Sequence, residues 1–194
     1  MTKQFKILTV CTGNVCRSPQ AEILLKDALP AEEIYVASAG TQALVGSHMP
    51  AMAQEAIGKA NSDQHVGRQL TPEMIERSDL ILGMAREHRR AVVELCPRAR
   101  KRTFTLRELA MLVEVTPDRY VAEALNASPD AREKMISAIE AVRLSKNLLT
   151  TSLADEDLDI IDPYGATRDV YNTSYHQVAK ATAAVASLLQ RAAE

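Results

Sequence analysis

The sequence has little of what would carry a chain out of the cell or into a bilayer. Its three cysteines, Cys11, Cys16 and Cys96, are too few and odd in number for a disulfide framework, and fit a reducing compartment. No apolar run approaches the roughly 18 residues of a membrane span. The opening MTKQFKILTV lacks the charged leader, long apolar stretch and small-residue cleavage site of a secretory signal. A net charge of -2 gives no general cationic surface for nucleic acid or lipid. Internal repeats and low-complexity linkers are absent as well. The expectation is a cytoplasmic chain with no nucleic-acid partner and no membrane insertion, folding as one domain over residues 1–194.

What is present is an alternation. Phe5–Val10, Ile34–Ala37, Asp79–Leu82 and Arg102–Thr105 are short, apolar, β-branched runs that read as strands. Between them stand helix starts. Ser18-Pro19, Thr71-Pro72, Thr116-Pro117 and Ser128-Pro129 each put a hydroxyl at an N-cap and proline in the first turn. The last of these opens a long helix to about Leu149, and an alanine-rich helical pattern closes the chain from about Thr167. Strands alternating with helices predict a Rossmann-like three-layer α/β fold, with a central four-stranded parallel sheet flanked by helices. Ligands of such sheets sit at the carboxyl ends of the strands, where the first strand runs into CTGNVCRSP.

That segment has the makings of an anion site. Gly13 and Asn14 permit backbone angles that most residues avoid, so successive N–H groups can turn inward as a nest. The helix beginning at Ser18 adds free N–H groups and the positive end of its dipole. Arg17 offers a planar fork for two phosphate oxygens. These surroundings favour a thiolate at Cys11, which can attack a bound phosphorus in line. Ser18 is placed to donate a hydrogen bond to the sulfur. Three other readings compete. Free cysteines are commonly plain core residues. Two could ligate zinc, yet no downstream Cys/His pair matches the four-residue gap from Cys11 to Cys16. A nucleotide-binding loop would need the GxxxxGK[ST] pattern, which is missing.

The segment CTGNVCRSP resembles the signature of the low-molecular-weight protein tyrosine phosphatases: Cys, five residues, Arg, Ser. SAGTQALVG, HVGRQLT, DLILGM and DPYG resemble later blocks of that family in the same order. The resemblance implies a phosphoric monoester hydrolase with Cys11 as nucleophile and Arg17 as phosphate clamp. It implies a phosphate loop of Thr12, Gly13, Asn14, Val15, Cys16 and Ser18, with no cofactor and no metal. The acidic run DEDLDIID holds five candidate proton donors: Asp155, Glu156, Asp157, Asp159 and Asp162. The resemblance selects Asp162 as general acid and base, with Tyr164 walling the slot for a substrate ring. It further implies that Asn14 holds the loop's shape, that His65 buttresses Asn14 and Ser38, and that Cys16 can trap an oxidised Cys11 as a disulfide. Cys96 has no comparable setting and reads as structural.

Departures from the family pattern bear on the substrate. Gly165 stands where a second aromatic is common, and Thr41–Met49 has none, so Leu44 is the expected lining residue there. Arsenate reductases share the fold and loop, but they use further cysteines or a thiol cofactor, and Cys96 forms no pair. Protein arginine phosphatases carry Thr before the second loop cysteine, where this chain has Val15, suited to an aromatic ring. A silent phosphoprotein-binding module would have lost Cys11, Arg17 or Asp162, and all are present. Phosphotyrosine in a protein is the expected substrate. The bacterial branch resembled is the one paired with tyrosine kinases of exopolysaccharide export, which would make such a kinase the partner. Residues 115–155 read as a helical insertion ahead of the acid loop.

Overall fold

The computed structural model describes residues 4–59, 62–126, 128–149 and 155–193. Four strands, β1 (Phe5–Cys11), β2 (Ile34–Gly40), β3 (Leu80–Gly83) and β4 (Thr103–Thr105), form one sheet in the order β2-β1-β3-β4. Every pairing is parallel. The expected strands are found, with β1 and β2 running on to Cys11 and Gly40. The register pairs Cys11 with Gly40, Val10 with Gly83, and Gly83 with Thr105. All four strand ends therefore meet on one rim, and the first strand delivers Cys11 to it.

Strand alternation explains why both faces are apolar. Phe5, Ile7, Leu80 and Leu82 enter one buried cluster, whereas Leu8, Val10 and Ile81 enter another. The first is covered by α1 (Arg17–Ala28), α5 (Leu106–Val115) and α8 (Arg168–Ala193), through Leu25, Leu109 and Val185 among others. The second lies under α3 (Pro72–Glu76) and α4 (Arg86–Leu95), which contribute Ile75 and Val92. A short α2 (Ala51–Ile57) packs by Ala53 in a third cluster with Val15, Cys16 and Tyr171.

The segment expected as an insertion holds α6 (Asp118–Leu125) and α7 (Ala131–Leu144), with a 3-10 turn over Ser145–Leu148 in place of one helix to Leu149. Residues 127 and 150–154 of the expected insertion lie outside the described residues. Its apolar stripe of Val121, Met135, Ala138, Ile139 and Val142 joins the cluster of α5 and α8. Two ion pairs tie it down, Arg132 to Asp79 at 2.5 Å and Lys146 to Glu108 at 2.9 Å.

Helix starts follow the reading in one case and correct it in three. Thr71 caps α3, its hydroxyl accepting from the Met74 N–H at 3.4 Å. At α6 the cap position falls on Pro117, because the Thr116 hydroxyl donates back to the Leu112 carbonyl at 2.6 Å. At α7 it falls on Asp130, whose carboxylate accepts from the Glu133 N–H at 3.0 Å; a carboxylate complements the helix dipole better than the Ser128 hydroxyl. Ser18 caps nothing. α1 begins one residue earlier, at Arg17, with Cys16 at the cap position, and the Ser18 hydroxyl is engaged elsewhere.

Candidate active site

Between β1 and α1 the chain crosses residues 12–16 in a tight loop. Its left-handed residue is Asn14, at φ 56°. Gly13 does not share that conformation, so of the two residues suited to the turn it is asparagine that supplies it. Every polar group of the Asn14 side chain is used. Its Nδ2 donates to Ser38 Oγ at 2.8 Å and to Ser18 Oγ at 3.0 Å. Its Oδ1 accepts from the Arg68 N–H at 2.9 Å. The strained residue is thereby fixed from β2, α1 and the segment before α3.

These bonds set the direction of the next. Ser18 Oγ accepts from Asn14, which leaves its hydrogen for Cys11 Sγ at 2.9 Å. The Asn14 backbone N–H also points at that sulfur, at 3.3 Å. Two donors converging on one sulfur suit an anion there. Behind them, Ser38 Oγ donates to Glu22 Oε2 at 2.5 Å, and Glu22 is paired with Lys26 at 2.5 Å. The sulfur thus stands at the end of a fully occupied network reaching through Asn14 to Glu22. Arg68 adds a bond from Nε to the Ser38 carbonyl at 2.6 Å.

His65 corrects one expectation. Its Nε2 donates to the Asn14 carbonyl at 2.7 Å, as a buttress should. The Ser38 hydroxyl, however, is committed to Glu22 and Asn14, and no bond joins it to His65. Burial pushes the His65 ring below its ordinary value, against the pull of that bond and of Glu22.

The sulfur lies at the bottom of a recess of about 160 Å³. Cys11 is 2% exposed and Arg17 3%, so they form its floor. Val15, Leu44 and Tyr164 line its sides, with Leu44 39% and Tyr164 60% exposed toward the mouth. Asp162 reaches in from the rim, and its Oδ2 accepts from Arg17 Nη2 at 2.6 Å. The other terminal nitrogen of Arg17 donates to the Ile160 carbonyl at 3.1 Å. The loop after β1 and the distant acidic run, with Arg17 and Asp162 145 residues apart in sequence, meet in one place.

The acid loop is fastened to the sheet rim. The Ile160 N–H donates to the Met84 carbonyl at 2.8 Å. The Asp159 carboxylate takes the Arg86 N–H at 2.7 Å and Arg86 Nη2 at 3.0 Å, and Arg107 Nη1 holds the Asp159 carbonyl at 2.9 Å. Burial works to raise the Asp159 carboxyl, and the bonds from Arg86 outweigh it, leaving it below its ordinary value. Asp159 is therefore an anchor turned away from the recess, and Asp162 is the carboxylate turned into it. The side chains of Asp155 and Glu156 lie outside the described residues. Gly165, at φ 74°, turns the chain after Tyr164. Replacing Arg86 with Ala is expected to lower kcat about tenfold to a hundredfold, since misplacing a reacting group by ~1 Å costs that much. Steady-state kinetics with an aryl phosphate would check this; an unchanged kcat would show that the loop holds itself.

The two loop cysteines differ sharply. Burial, then the neighbouring Cys11, push the Cys16 thiol up to about 12, against a hydrogen bond with Tyr171. Cys16 stays a protonated, packed side chain beside Met49 and Ala53. Cys96 is buried under α4, as a structural cysteine should be. No group of three or more His, Cys, Asp or Glu able to hold a metal occurs among the described residues.

Sequence reasoning did not single out Glu22, Arg68, Arg86 or His88 as parts of the site. Arg68 lay in view inside HVGRQLT. Glu22 reads as an ordinary exposed helix residue in AEILLKDAL, and only the fold shows it 5% exposed. His88 is equally hidden, 2% exposed, with Nε2 2.9 Å from Thr12 Oγ1. Its burial, then the charge of Arg17, push it down to about 3. An unfolded histidine takes up a proton below about 6.5, whereas His88 in the fold refuses it until about 3. The unfolded state therefore binds more protons in that window, and stability present above it is lost as pH falls. The slope approaches ~1.4 kcal/mol per pH unit, with His65 adding in the same direction. Urea midpoints at pH 7.5 and 5 should show the drop; equal midpoints would contradict a buried, neutral His88.

An open parallel sheet bearing, at its first strand–helix junction, a cysteine in a tight loop with a buried arginine beside it places the chain among α/β proteins with their site at the strand ends. The chain belongs to the family of low molecular weight phosphotyrosine protein phosphatases, a family of phosphoric monoester hydrolases, whose profile matches residues 6–153. It is 38% identical over 136 residues to the low molecular weight protein-tyrosine-phosphatase Etp of Escherichia coli K12, covering 69% of this chain and 86% of that one. It is also 38% identical over 105 residues to a protein-arginine-phosphatase of Bacillus subtilis, covering 53% and 70%. Among solved structures, the tyrosine phosphatase AmsI of Erwinia amylovora superposes with a TM-score of 0.65 at 27% identity, covering 95% of this chain and 93% of that one. The matched residues stop short of Asp162, so its membership of the site rests on the geometry.

Proposed function

We propose that this chain hydrolyses phosphotyrosine in proteins through a cysteinyl-phosphate, with Cys11 as nucleophile, Arg17 as phosphate clamp and Asp162 as general acid and base. The observation that carries this is the meeting of the three in one recess, with Arg17 already hydrogen-bonded to Asp162. In the first step the Cys11 sulfur forms a bond to phosphorus as the phosphorus–oxygen ester bond breaks, and Asp162 gives its proton to the departing phenolate oxygen. Arg17, the loop N–H groups and the helix terminus offset charge on the equatorial oxygens. In the second step Asp162 takes a proton from water, the water oxygen bonds to phosphorus, and the sulfur leaves, steadied by Ser18.

Val15, Leu44 and Tyr164 favour an aromatic ester: they offer hydrocarbon and a ring face to the substrate. Among the described residues lining the recess, Asp162 is the sole carboxylate, so a substrate guanidinium would have to share the group that also serves as the acid. The B. subtilis relative named protein-arginine-phosphatase, and the glycine of DPYG, favour phosphoarginine as the second reading. Comparing kcat/KM for a phosphotyrosine peptide, phosphoarginine and arsenate decides between them. Phosphotyrosine is expected to lead by at least about tenfold, the factor that ~1.4 kcal/mol of ring contact supplies; a lead for phosphoarginine would overturn the substrate and leave the chemistry standing. The partner we infer is a phosphotyrosine protein of the cytoplasm, in keeping with the relatives named protein-tyrosine-phosphatases, with a bacterial tyrosine kinase as the class that the resemblance to the exopolysaccharide branch implies.

A further inference from the structure

We propose that Thr12 is a further phosphate-binding donor, its hydroxyl hydrogen directed into the recess by His88, a positioning residue on α4. This rests on the catalytic reading above and adds a side chain to it.

The geometry fixes which atom donates. His88 Nε2 faces two oxygens, Thr12 Oγ1 at 2.9 Å and Glu87 Oε1 at 3.4 Å. An ionised carboxylate only accepts, so the nitrogen facing it carries the hydrogen. The other ring nitrogen, Nδ1, is buried and has no partner among the described residues. The opposite tautomer would place an N–H there with nothing to receive it, and unpaired buried N–H groups are rarer than unpaired acceptors. A doubly protonated ring would bury the same unpaired N–H, and burial together with Arg17 holds the ring neutral. Nε2–H therefore donates to Thr12, and Thr12 Oγ1 accepts.

A threonine hydroxyl that accepts from His88 keeps one hydrogen to give away. Among the described residues, Thr12 Oγ1 bonds to His88 alone, and Thr12 lines the same recess as Cys11. Its backbone cannot drift. The Thr12 carbonyl takes the Gln42 N–H at 3.0 Å, and a Cβ added to Gly40 would stand 2.4 Å from that oxygen. With backbone and Oγ1 both held, the hydroxyl hydrogen has the recess to turn to. The phosphoryl oxygens of a bound ester accept and are charged, which is the strong kind of hydrogen bond. Gly83 shows that the arrangement is built closely: a Cβ there would meet Arg89 N at 3.0 Å and His88 Cβ at 3.2 Å.

The test is a mutant cycle with two readouts, kcat/KM for an aryl phosphate and affinity for inorganic phosphate by calorimetry. Thr12→Val should lower both by about 10- to 100-fold, the worth of a hydrogen bond to a charged group; Thr12→Ser, which keeps the hydroxyl, should stay within about threefold of wild type. His88→Ala should lose most of what Thr12→Val loses, with the double variant no worse than Thr12→Val alone. His88→Gln, whose amide nitrogen can reach Thr12, should recover most of the loss. Thr12→Val with unchanged phosphate affinity, or losses that simply add, would overturn the proposal. A variant that fails to fold does not end the matter. Long-range 1H–15N spectra of the unaltered protein at neutral pH must show His88 as the Nε2–H tautomer, and an Nδ1–H or doubly protonated ring would overturn it too. Wild-type protein that binds phosphate but turns over no ester would sink the catalytic reading instead, leaving the Thr12 comparison by calorimetry intact.

Discussion

Cys11→Ser is expected to cut turnover of an aryl phosphate by at least about 10⁴-fold, the scale on which enzymes lose rate when a nucleophile is removed. Inorganic phosphate should still bind within a few-fold of wild type. The reason for the split is that affinity and reaction use different atoms. On the proposed reading Arg17, the N–H groups of the loop and the start of α1 hold the anion, and none of them is altered. A serine hydroxyl, by contrast, is a poor nucleophile without a base beside it, and the contacts around position 11, Ser18 Oγ and the Asn14 N–H, are donors. Cys16 cannot substitute, because burial and its neighbour push its thiol to about 12. Turnover by stopped assay and affinity by calorimetry check the two halves separately. Residual activity within about tenfold of wild type would remove Cys11 from the chemistry.

Asp162→Asn is expected to lower kcat/KM by about 10²- to 10⁴-fold for esters with poor leaving groups, the range general acids contribute. Esters whose phenolate leaves readily need no proton and should suffer far less. The plot of log rate against leaving-group pKa should therefore steepen. A second role competes with this one: Asp162 holds Arg17 Nη2 at 2.6 Å, so the variant also frees the clamp. Losing only that contact would slow every ester alike, whatever its leaving group. Equal slowing across the series would leave Asp162 as the keeper of Arg17 and send the search for the acid elsewhere.

Much of this was legible in the residues. The alternation of short β-branched runs with capped helical stretches was enough for a parallel sheet, since each strand had to be apolar on both faces. The Cys, five residues, Arg, Ser spacing was enough to expect a tight strand–loop–helix turn with Cys11 and Arg17 together, because the turn geometry is local there. Helix starts were less legible. Ser18-Pro19 carries a strong local signal for an N-cap, yet the hydroxyl goes to Cys11 and Asn14, a tertiary demand that the neighbouring residues do not reveal. Gly13 and Asn14 were both candidates for the left-handed turn, and the sequence could not divide the work between them. His65 bonds to the Asn14 carbonyl, whereas the Ser38 hydroxyl goes to Glu22, a residue whose burial no local pattern announces.

The sequence by itself determined which groups were available: a cysteine, an arginine and a serine in a loop able to cradle an anion, at the end of a strand. It also named the acidic run from which a proton donor would come. Only the tertiary structure decided which carboxylate arrives. Arg86 and Arg107 fasten Asp159 while Asp162 swings to Arg17, a choice made by contacts between segments more than 50 residues apart in the chain. The physical reason is range. Backbone angles and helix caps are settled by near neighbours, whereas which of several like charges meets a given partner depends on where the whole fold sets them down.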